Sequence, residues 1–118
     1  MKNIFFLFFA YLPLVMCSQQ PETLKEKFAD YFLIGATINQ EDYQIIDKDE
    51  KILKIVSEDF SSVTPENSMK WMHSHPEYSK FTFSNAQKIT DFAKDNDMYL
   101  LGHTLVWHNQ VPEYVSEI

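Results

Sequence analysis

The chain has a single cysteine and only two glycines among its 118 residues. The cysteine, Cys17, lies within an amino-terminal leader, so the body of the protein has no cysteines with which to form an internal disulfide. One of the glycines, Gly35, falls in an apolar run, which predicts a buried strand whose backbone is closely approached by its neighbours. The mainly apolar run near the start, residues 4–16, is shorter than the roughly 20 apolar residues needed to cross a bilayer.

Basic residues are also scarce, with 10 against 17 acidic residues and a net charge of −7. A chain of this sign is repelled by phosphates, so nucleic acid is excluded as a predicted partner. At 45% apolar and 15% aromatic, the composition is that of a globular protein rather than a disordered tail. About 100 residues remain after the leader, which is enough for one small globular unit.

The leader, residues 1–17, combines one lysine near the start with an apolar stretch ending at Cys17, "MKNIFFLFFAYLPLVMC". This pattern is typical of a secretory signal, and it predicts export. The residues before Cys17 loosely resemble a bacterial lipoprotein cleavage box, so ordinary cleavage near Ser18 and lipid anchoring at Cys17 both stay open. We therefore predict a secreted or surface-anchored protein whose folded part is residues 18–118.

Strand and helix signals alternate along the chain. Thr23 with Glu26, and Ser84 with Gln87, have the spacing of capping boxes, and Asn96 is predicted to end a helix in the left-handed conformation. The predicted elements are a helix at 24–31, a strand at 31–39, a helix at 50–59, a strand at 60–64, a helix at 85–95 and a strand at 98–107. This order predicts a parallel sheet built from βαβ units.

Two polar clusters follow the second and third predicted strands, where loops of a parallel α/β protein converge on one face. They contain Glu66, Asn67 and Lys70, and His103, Trp107 and Gln110. Their mixed hydrogen-bond donors and acceptors, with an indole, suit an uncharged ligand rich in hydroxyl groups. A purely structural role, with Trp71 and Trp107 in the core and Lys70 paired to Glu66, remains an alternative from spacing alone.

Three segments of this chain resemble glycoside hydrolase family 10, the endo-β-1,4-xylanases. They are "TPENSMKW" (64–71), "FTFSNAQKITDFAKDN" (81–96) and "GHTLVWHNQVPEYV" (102–115). The resemblance, which covers roughly residues 30–118, implies the first three β/α units of a (β/α)₈ TIM barrel. It also implies that xylan or xylo-oligosaccharide is the partner, hydrolysed at internal β-1,4 bonds with retention of configuration.

The resemblance assigns roles to both polar clusters. Glu66, Asn67 and Lys70 match the groups that hold the sugar on the non-reducing side of the cleavage point. His103, Trp107 and Gln110 match those lining the sugar whose bond is broken. The chain departs from the family pattern at Met72, Gln87 and Tyr114, the last standing where tryptophan is usual.

Retaining hydrolysis needs two carboxyl groups about 5–5.5 Å apart. The resemblance places them after strands four and seven of a barrel of about 250 residues, so both are expected beyond Ile118. Glu66 matches a binding position and is no substitute. We therefore expect no catalytic residue within residues 1–118 and no activity from these residues alone.

Two other functions compete with this interpretation. The spacings of His73 with His75 and of His103 with His108 differ from known zinc motifs, and the last two would lie on opposite faces of a strand, so no metal site is predicted. No cofactor is predicted either. A non-catalytic carbohydrate-binding module would use similar side chains, but such modules are commonly antiparallel sandwiches, unlike the βαβ order here.

Overall fold

The computed structural model describes residues 21–38 and 50–116. The predicted leader, residues 1–17, and Asn39 at the end of the first predicted strand lie outside this part of the chain. Its elements are α1 (Leu24–Phe28), β1 (Gly35–Ile38), α2 (Glu50–Asp59), β2 (Ser62–Pro65), α3 (Trp71–Ser74), α4 (Ser84–Asp95), β3 (Tyr99–Leu100) and α5 (Glu113–Ser116). Within these ranges no helix has the length and apolar character needed to span a membrane.

The three strands form one parallel sheet in the order β1-β2-β3, as the alternation of strands and helices predicts. Gly35 pairs with Ser62 at the start of the β1–β2 ladder, and Val63 pairs with Leu100 in the β2–β3 ladder. A Cβ atom built on Gly35 would lie 2.7 Å from the Ser62 Oγ. The close approach predicted at Gly35 is therefore confirmed, and it comes from the neighbouring strand. The predicted burial of this strand is wrong, since Gly35 and Thr37 are exposed and only Ile38 is buried.

The core lies between this sheet and helices α2 and α4. Val63 in the middle strand has 0% of its surface exposed, and Ile89 of α4 has 1%. The other buried apolar members of this cluster are Ile38, Val56, Ala93 and Met98. Burying each such side chain contributes about 1.5–3 kcal/mol, so a few residues from each layer fix β2 against α4. The carboxyl end of β2 is held in place by this packing.

Helix α1 begins with the capping box predicted at Thr23 and Glu26. The Glu26 carboxylate accepts hydrogen bonds from the Thr23 backbone N–H at 2.8 Å and its hydroxyl at 2.9 Å. The same two bonds lower the pKa of Glu26, since they favour its ionised form. The helix is shorter than the predicted 24–31, because after Phe28 the chain continues in turns.

The two ends of α4 differ from the predictions for Ser84 and Asn96. Phe83 is the N-cap and Ser84 is already helical, while the Gln87 side chain bonds Asp91 at 2.8 Å instead of the N-terminus. The predicted capping box is therefore wrong. At the other end Asn96 has φ −114°, and the left-handed residue is Asp97 at φ 52°.

This C-terminus is a Schellman motif, in which backbone N–H groups beyond the helix satisfy its last carbonyls. The N–H of Met98 donates to the carbonyl of Ala93 at 2.8 Å, and that of Asp97 to Lys94 at 3.3 Å. Asn96 adds a side-chain bond to the carbonyl of Phe92 at 2.8 Å. The motif turns the chain directly from α4 into β3.

The third strand is much shorter than the predicted 98–107. Only Tyr99 and Leu100 are in strand conformation, and one further ladder bond joins the N–H of Leu101 to the carbonyl of Val63 at 2.9 Å. Among the described residues β3 pairs with β2 alone, so nothing on its other side extends the ladder. Leu105 and Val106 are 92% and 73% exposed. The apolar pattern predicts a strand as far as residue 107, but residues 102–107 form an irregular loop.

Candidate functional site

Asn67 joins the two polar clusters that the sequence places at the strand ends. Its Oδ1 accepts a hydrogen bond from the Nζ of Lys70 at 3.0 Å and another from the Nε2 of Gln110 at 3.1 Å. An ammonium group only donates, so the Asn67 atom facing Lys70 is the oxygen. The second bond connects residues 43 positions apart, and it brings the segments after β2 and β3 into one surface.

Lys70 is the most buried charged side chain of this surface, with 8% of its area exposed. Its Nζ lies 4.9 Å from the centre of the Trp107 ring, within the range of a cation–π contact. Trp107 itself is 37% exposed. The structural alternative from the sequence is therefore wrong for Trp107, which is not in the core, and for Lys70, whose partner is Asn67 rather than Glu66. Trp71, which the same alternative places in the core, is half-buried.

Glu66 and His103 occupy more open positions. Glu66 follows β2 directly; its N–H donates to the carbonyl of Ile38 at 2.8 Å, and its side chain is exposed beside Asn67. His103 is exposed in the loop after β3. Because this loop is irregular, the two-residue alternation of a strand does not determine which way the side chains of His103 and Trp107 point.

The structure thus brings four of the six predicted site residues into contact. They are Asn67, Lys70, Trp107 and Gln110. In the part of the chain that is described, no hydrogen bond or ion pair joins the side chains of Glu66 and His103 to these four.

Local backbone structure sets the positions of Lys70 and Gln110. Lys70 is the N-cap of the short helix α3, and its carbonyl accepts bonds from the backbone N–H groups of His73 and Ser74, each at 3.0 Å. Gln110 has a φ of 54°, which is rare for a residue other than glycine. Its carbonyl accepts from the N–H of Met72 at 3.0 Å. A backbone contact therefore joins the two segments in addition to the side-chain bond between Asn67 and Gln110.

Lys70 also affects the electrostatics of α3. Burial lowers the pKa of His73, and the positive charge of Lys70 lowers it further. Both effects favour the neutral imidazole. The shift thus reduces the positive charge on α3 next to Lys70.

The contact between His75 and Tyr114 was not anticipated from the sequence. The Tyr114 hydroxyl lies 2.8 Å from the Nδ1 of His75, and the His75 ring stacks on Phe81 with centroids 4.1 Å apart. No spacing signal indicates this pair, because its members are 39 positions apart on different elements. Within residues 21–38 and 50–116, no cluster of three or more histidine, cysteine, aspartate or glutamate side chains is arranged to hold a metal.

The polar atoms of this surface can both donate to and accept from a ligand. Lys70 and the Asn67 Nδ2 offer donors, while Glu66 offers carboxylate oxygens. The Oε1 of Gln110 is buried and has no hydrogen-bond partner among the described residues. Because this oxygen is closed off from solvent, the acceptor that the surface offers to a ligand is the exposed Glu66 carboxylate. The arrangement suits an uncharged, hydroxyl-rich molecule resting against the Trp107 ring.

Residues 23–118 match the sequence model of glycosyl hydrolase family 10. The chain belongs to this family. It is 42% identical over 93 residues to endo-1,4-beta-xylanase A of Caldicellulosiruptor saccharolyticus and 46% identical over 93 residues to a beta-1,4-xylanase of Dictyoglomus thermophilum. Each alignment covers 79% of this chain but only 26% and 25% of the respective relative. The chain thus spans about a quarter of the length of these family 10 relatives.

Solved family 10 structures agree with the sheet described here. Xylanase 10B from Thermotoga petrophila, in complex with xylobiose, matches with a TM-score of 0.76 and 35% identity over 84% of this chain and 30% of that one. Native xylanase 10B from Thermotoga maritima matches with a TM-score of 0.74 and 36% identity. The fold is the (β/α)₈ TIM barrel of the family, of which the described residues form a three-stranded parallel part.

Proposed function

We propose that the whole protein is an endo-1,4-β-xylanase, which hydrolyses internal bonds of xylan with retention of configuration. In this proposal residues 66–70 and 103–110 form the part of the cleft that binds the xylose units on the non-reducing side of the cleaved bond. The observation that carries it is the shared Asn67 oxygen, which unites both motifs into one polar surface in a chain of this family.

The geometry supports binding of a neutral sugar chain. A xylose unit presents hydroxyl groups and an apolar ring face, which match the amide and ammonium groups beside the Trp107 indole. Each neutral hydrogen bond contributes only about 0.5–1.5 kcal/mol, so several converging groups are needed. Asn67, Lys70 and Gln110 supply them from two segments.

Hydrolysis itself requires a second set of residues. Retention uses one carboxyl group as acid and base and another as nucleophile, about 5–5.5 Å apart. Among the six predicted sugar-contacting residues, Glu66 is the only carboxylate. We therefore propose that residues 1–118 on their own do not hydrolyse xylan, and that this surface positions substrate for carboxyl groups located elsewhere in the barrel.

The test uses the protein expressed from its complete reading frame. We expect it to release reducing ends from xylan and to give products that initially have the β configuration at the anomeric carbon, as seen by proton NMR. Lys70→Ala should weaken xylotriose binding about tenfold, since it removes a charge-assisted donor. Binding of xylotriose without hydrolysis would instead indicate a non-catalytic module, and no binding at all would refute both functions. Hydrolysis by a separately expressed chain of residues 1–118 would refute the proposed division of roles.

We further propose that the protein is exported through its leader, residues 1–17, whose composition supports a secretory signal. Intact mass of the protein recovered from its native cells distinguishes the two routes. Loss of the leader alone indicates secretion, and an added diacylglyceryl group on Cys17 indicates a lipid anchor. A mass that retains the whole leader would contradict export.

A further inference from the structure

Two chain segments continue beyond the sugar-binding surface and meet a second time. Residues 70–75 follow Lys70, and residues 110–114 follow Gln110. The N–H of Met72 donates to the carbonyl of Gln110 at 3.0 Å, and the Tyr114 side chain reaches His75 at 2.8 Å. This second contact lies beyond helix α3 on the first segment and four residues beyond Gln110 on the second.

Both nitrogens of the His75 ring are used. The Nε2 lies 3.1 Å from the carbonyl oxygen of Tyr78, and because a carbonyl only accepts, the Nε2 carries the hydrogen. In the neutral ring Nδ1 is then the acceptor, so the Tyr114 hydroxyl donates to it. The ring also stacks on Phe81, with 7° between the planes. The bond to the Tyr78 carbonyl and the stacking on Phe81 thus fix the His75 ring, and its Nδ1 accepts the hydrogen bond from Tyr114.

Gln110 needs such support because its backbone is strained. A non-glycine residue in the left-handed region costs about 1–3 kcal/mol and persists only where its surroundings hold it. On its amino-terminal side the loop from Leu101 is largely exposed. On its carboxyl side, Pro112 is fully buried and Tyr114 is anchored on His75. Besides the backbone bond from the N–H of Met72, the support for Gln110 therefore comes from residues 112–114.

We propose that the Tyr114–His75 hydrogen bond is a positioning device that holds the Gln110 side chain against Asn67, so that it sets the affinity of the surface for xylo-oligosaccharide. Tyr114 and His75 are positioning residues in this account, acting through Gln110. The inference rests on the proposed function for its effect on sugar binding, although the effect on Gln110 itself does not depend on sugar.

The test compares Tyr114→Phe, which removes only the hydroxyl, with the matched control Tyr78→Phe. Tyr78 belongs to the same ring cluster, packing edge-on against Tyr114 at 6.0 Å, but is 80% exposed and contacts His75 through its carbonyl. In the protein expressed from its complete reading frame, we expect Tyr114→Phe to raise KM for xylo-oligosaccharides about threefold to tenfold, with kcat changed less than twofold. Tyr78→Phe should leave both unchanged.

Two further measurements separate positioning from general destabilisation. In a Gln110→Ala background, Tyr114→Phe should have no additional effect on KM, because the residue through which it acts is gone. His75→Gln, which keeps both an acceptor and a donor, should restore most of the affinity that His75→Ala loses. An equal rise in KM with and without Gln110, or no rise at all, would overturn the proposal.

A sugar-free measurement keeps this inference distinct from the proposed function. The side-chain amide resonance of Gln110 should shift in Tyr114→Phe and stay in place in Tyr78→Phe. If the parent protein neither binds nor hydrolyses xylan but the resonance shifts as expected, the proposed function fails and the positioning role stands. If the parent is active and the resonance does not move, the positioning role is wrong.

Discussion

Replacing Asn67 by alanine removes the one oxygen that accepts hydrogen bonds from both Lys70 and Gln110. A bond from a charged donor contributes about 1.5–3 kcal/mol and a neutral one about 0.5–1.5 kcal/mol. Since Lys70 is only 8% exposed, water replaces the lost acceptor poorly. We expect Asn67→Ala to lower the free energy of unfolding by about 2–4 kcal/mol.

The matched variant Asn67→Asp separates this structural role from sugar binding. A carboxylate keeps both accepted bonds and adds an opposite charge beside Lys70, but it lacks the Nδ2 donor. We therefore expect Asn67→Asp to remain within about 1 kcal/mol of the parent in stability while binding xylotriose about threefold to tenfold more weakly. Asn67→Ala should lose both stability and binding.

Urea denaturation of the protein expressed from its complete reading frame measures the stability change, and calorimetric titration with xylotriose measures the affinity. If Asn67→Ala unfolds at the same urea concentration as the parent, the two hydrogen bonds do not join the segments in solution. If Asn67→Asp binds xylotriose as well as the parent, the Nδ2 group makes no sugar contact.

Three other changes test the fold and its electrostatics. In urea denaturation, Ile89→Ala should lower the free energy of unfolding by about 2–5 kcal/mol and Ile89→Val by about 0.5–1.5 kcal/mol, because this side chain of α4 is buried against the sheet. Equal losses in the two variants would contradict that packing. Gly35→Ala should cost no more than about 1 kcal/mol, because the Ser62 Oγ that its Cβ would meet can rotate away. The double variant with Ser62→Ala should recover this loss, and a much larger loss in Gly35→Ala would show that Ser62 cannot move. Burial, and then the charge of Lys70, lower the pKa of His73 in the folded protein. Its contribution to stability is therefore full above the unfolded pKa of 6.5 and is lost as the pH falls towards the folded pKa. The stability of the parent relative to His73→Gln should decrease over that pH range, and a constant difference would contradict the prediction.

Local signals predicted the elements whose causes are themselves local. The capping box of Thr23 and Glu26 spans one turn, and it forms as its spacing indicates. Helix α4 follows from an apolar stripe that includes Ile89 and Ala93, both of which are buried. Where two local signals compete, the prediction failed: Gln87 bonds Asp91 along the helix instead of capping its start.

The short third strand shows what local pattern cannot predict. Residues 98–107 are apolar enough for a strand, but a strand needs a partner along its whole length, and β2 supplies one only as far as Leu101. The side-chain directions of His103 and Trp107 therefore depend on an irregular loop, which a two-residue period does not describe. The family motif at residues 102–115 is confirmed, but the strand predicted for its first residues is wrong.

By itself, the sequence determined the family, the order of strands and helices, and the residue types of the proposed sugar-binding surface, because these depend on composition, short-range spacing and motifs such as residues 64–71 and 102–115. Only the tertiary structure decided that Asn67 is shared by Lys70 and Gln110, and that Tyr114 is tied to His75. These bonds join residues about 40 positions apart. Their geometry exists only once the sheet register and the packing of α4 have brought the two strand ends together, and no local spacing encodes that distance.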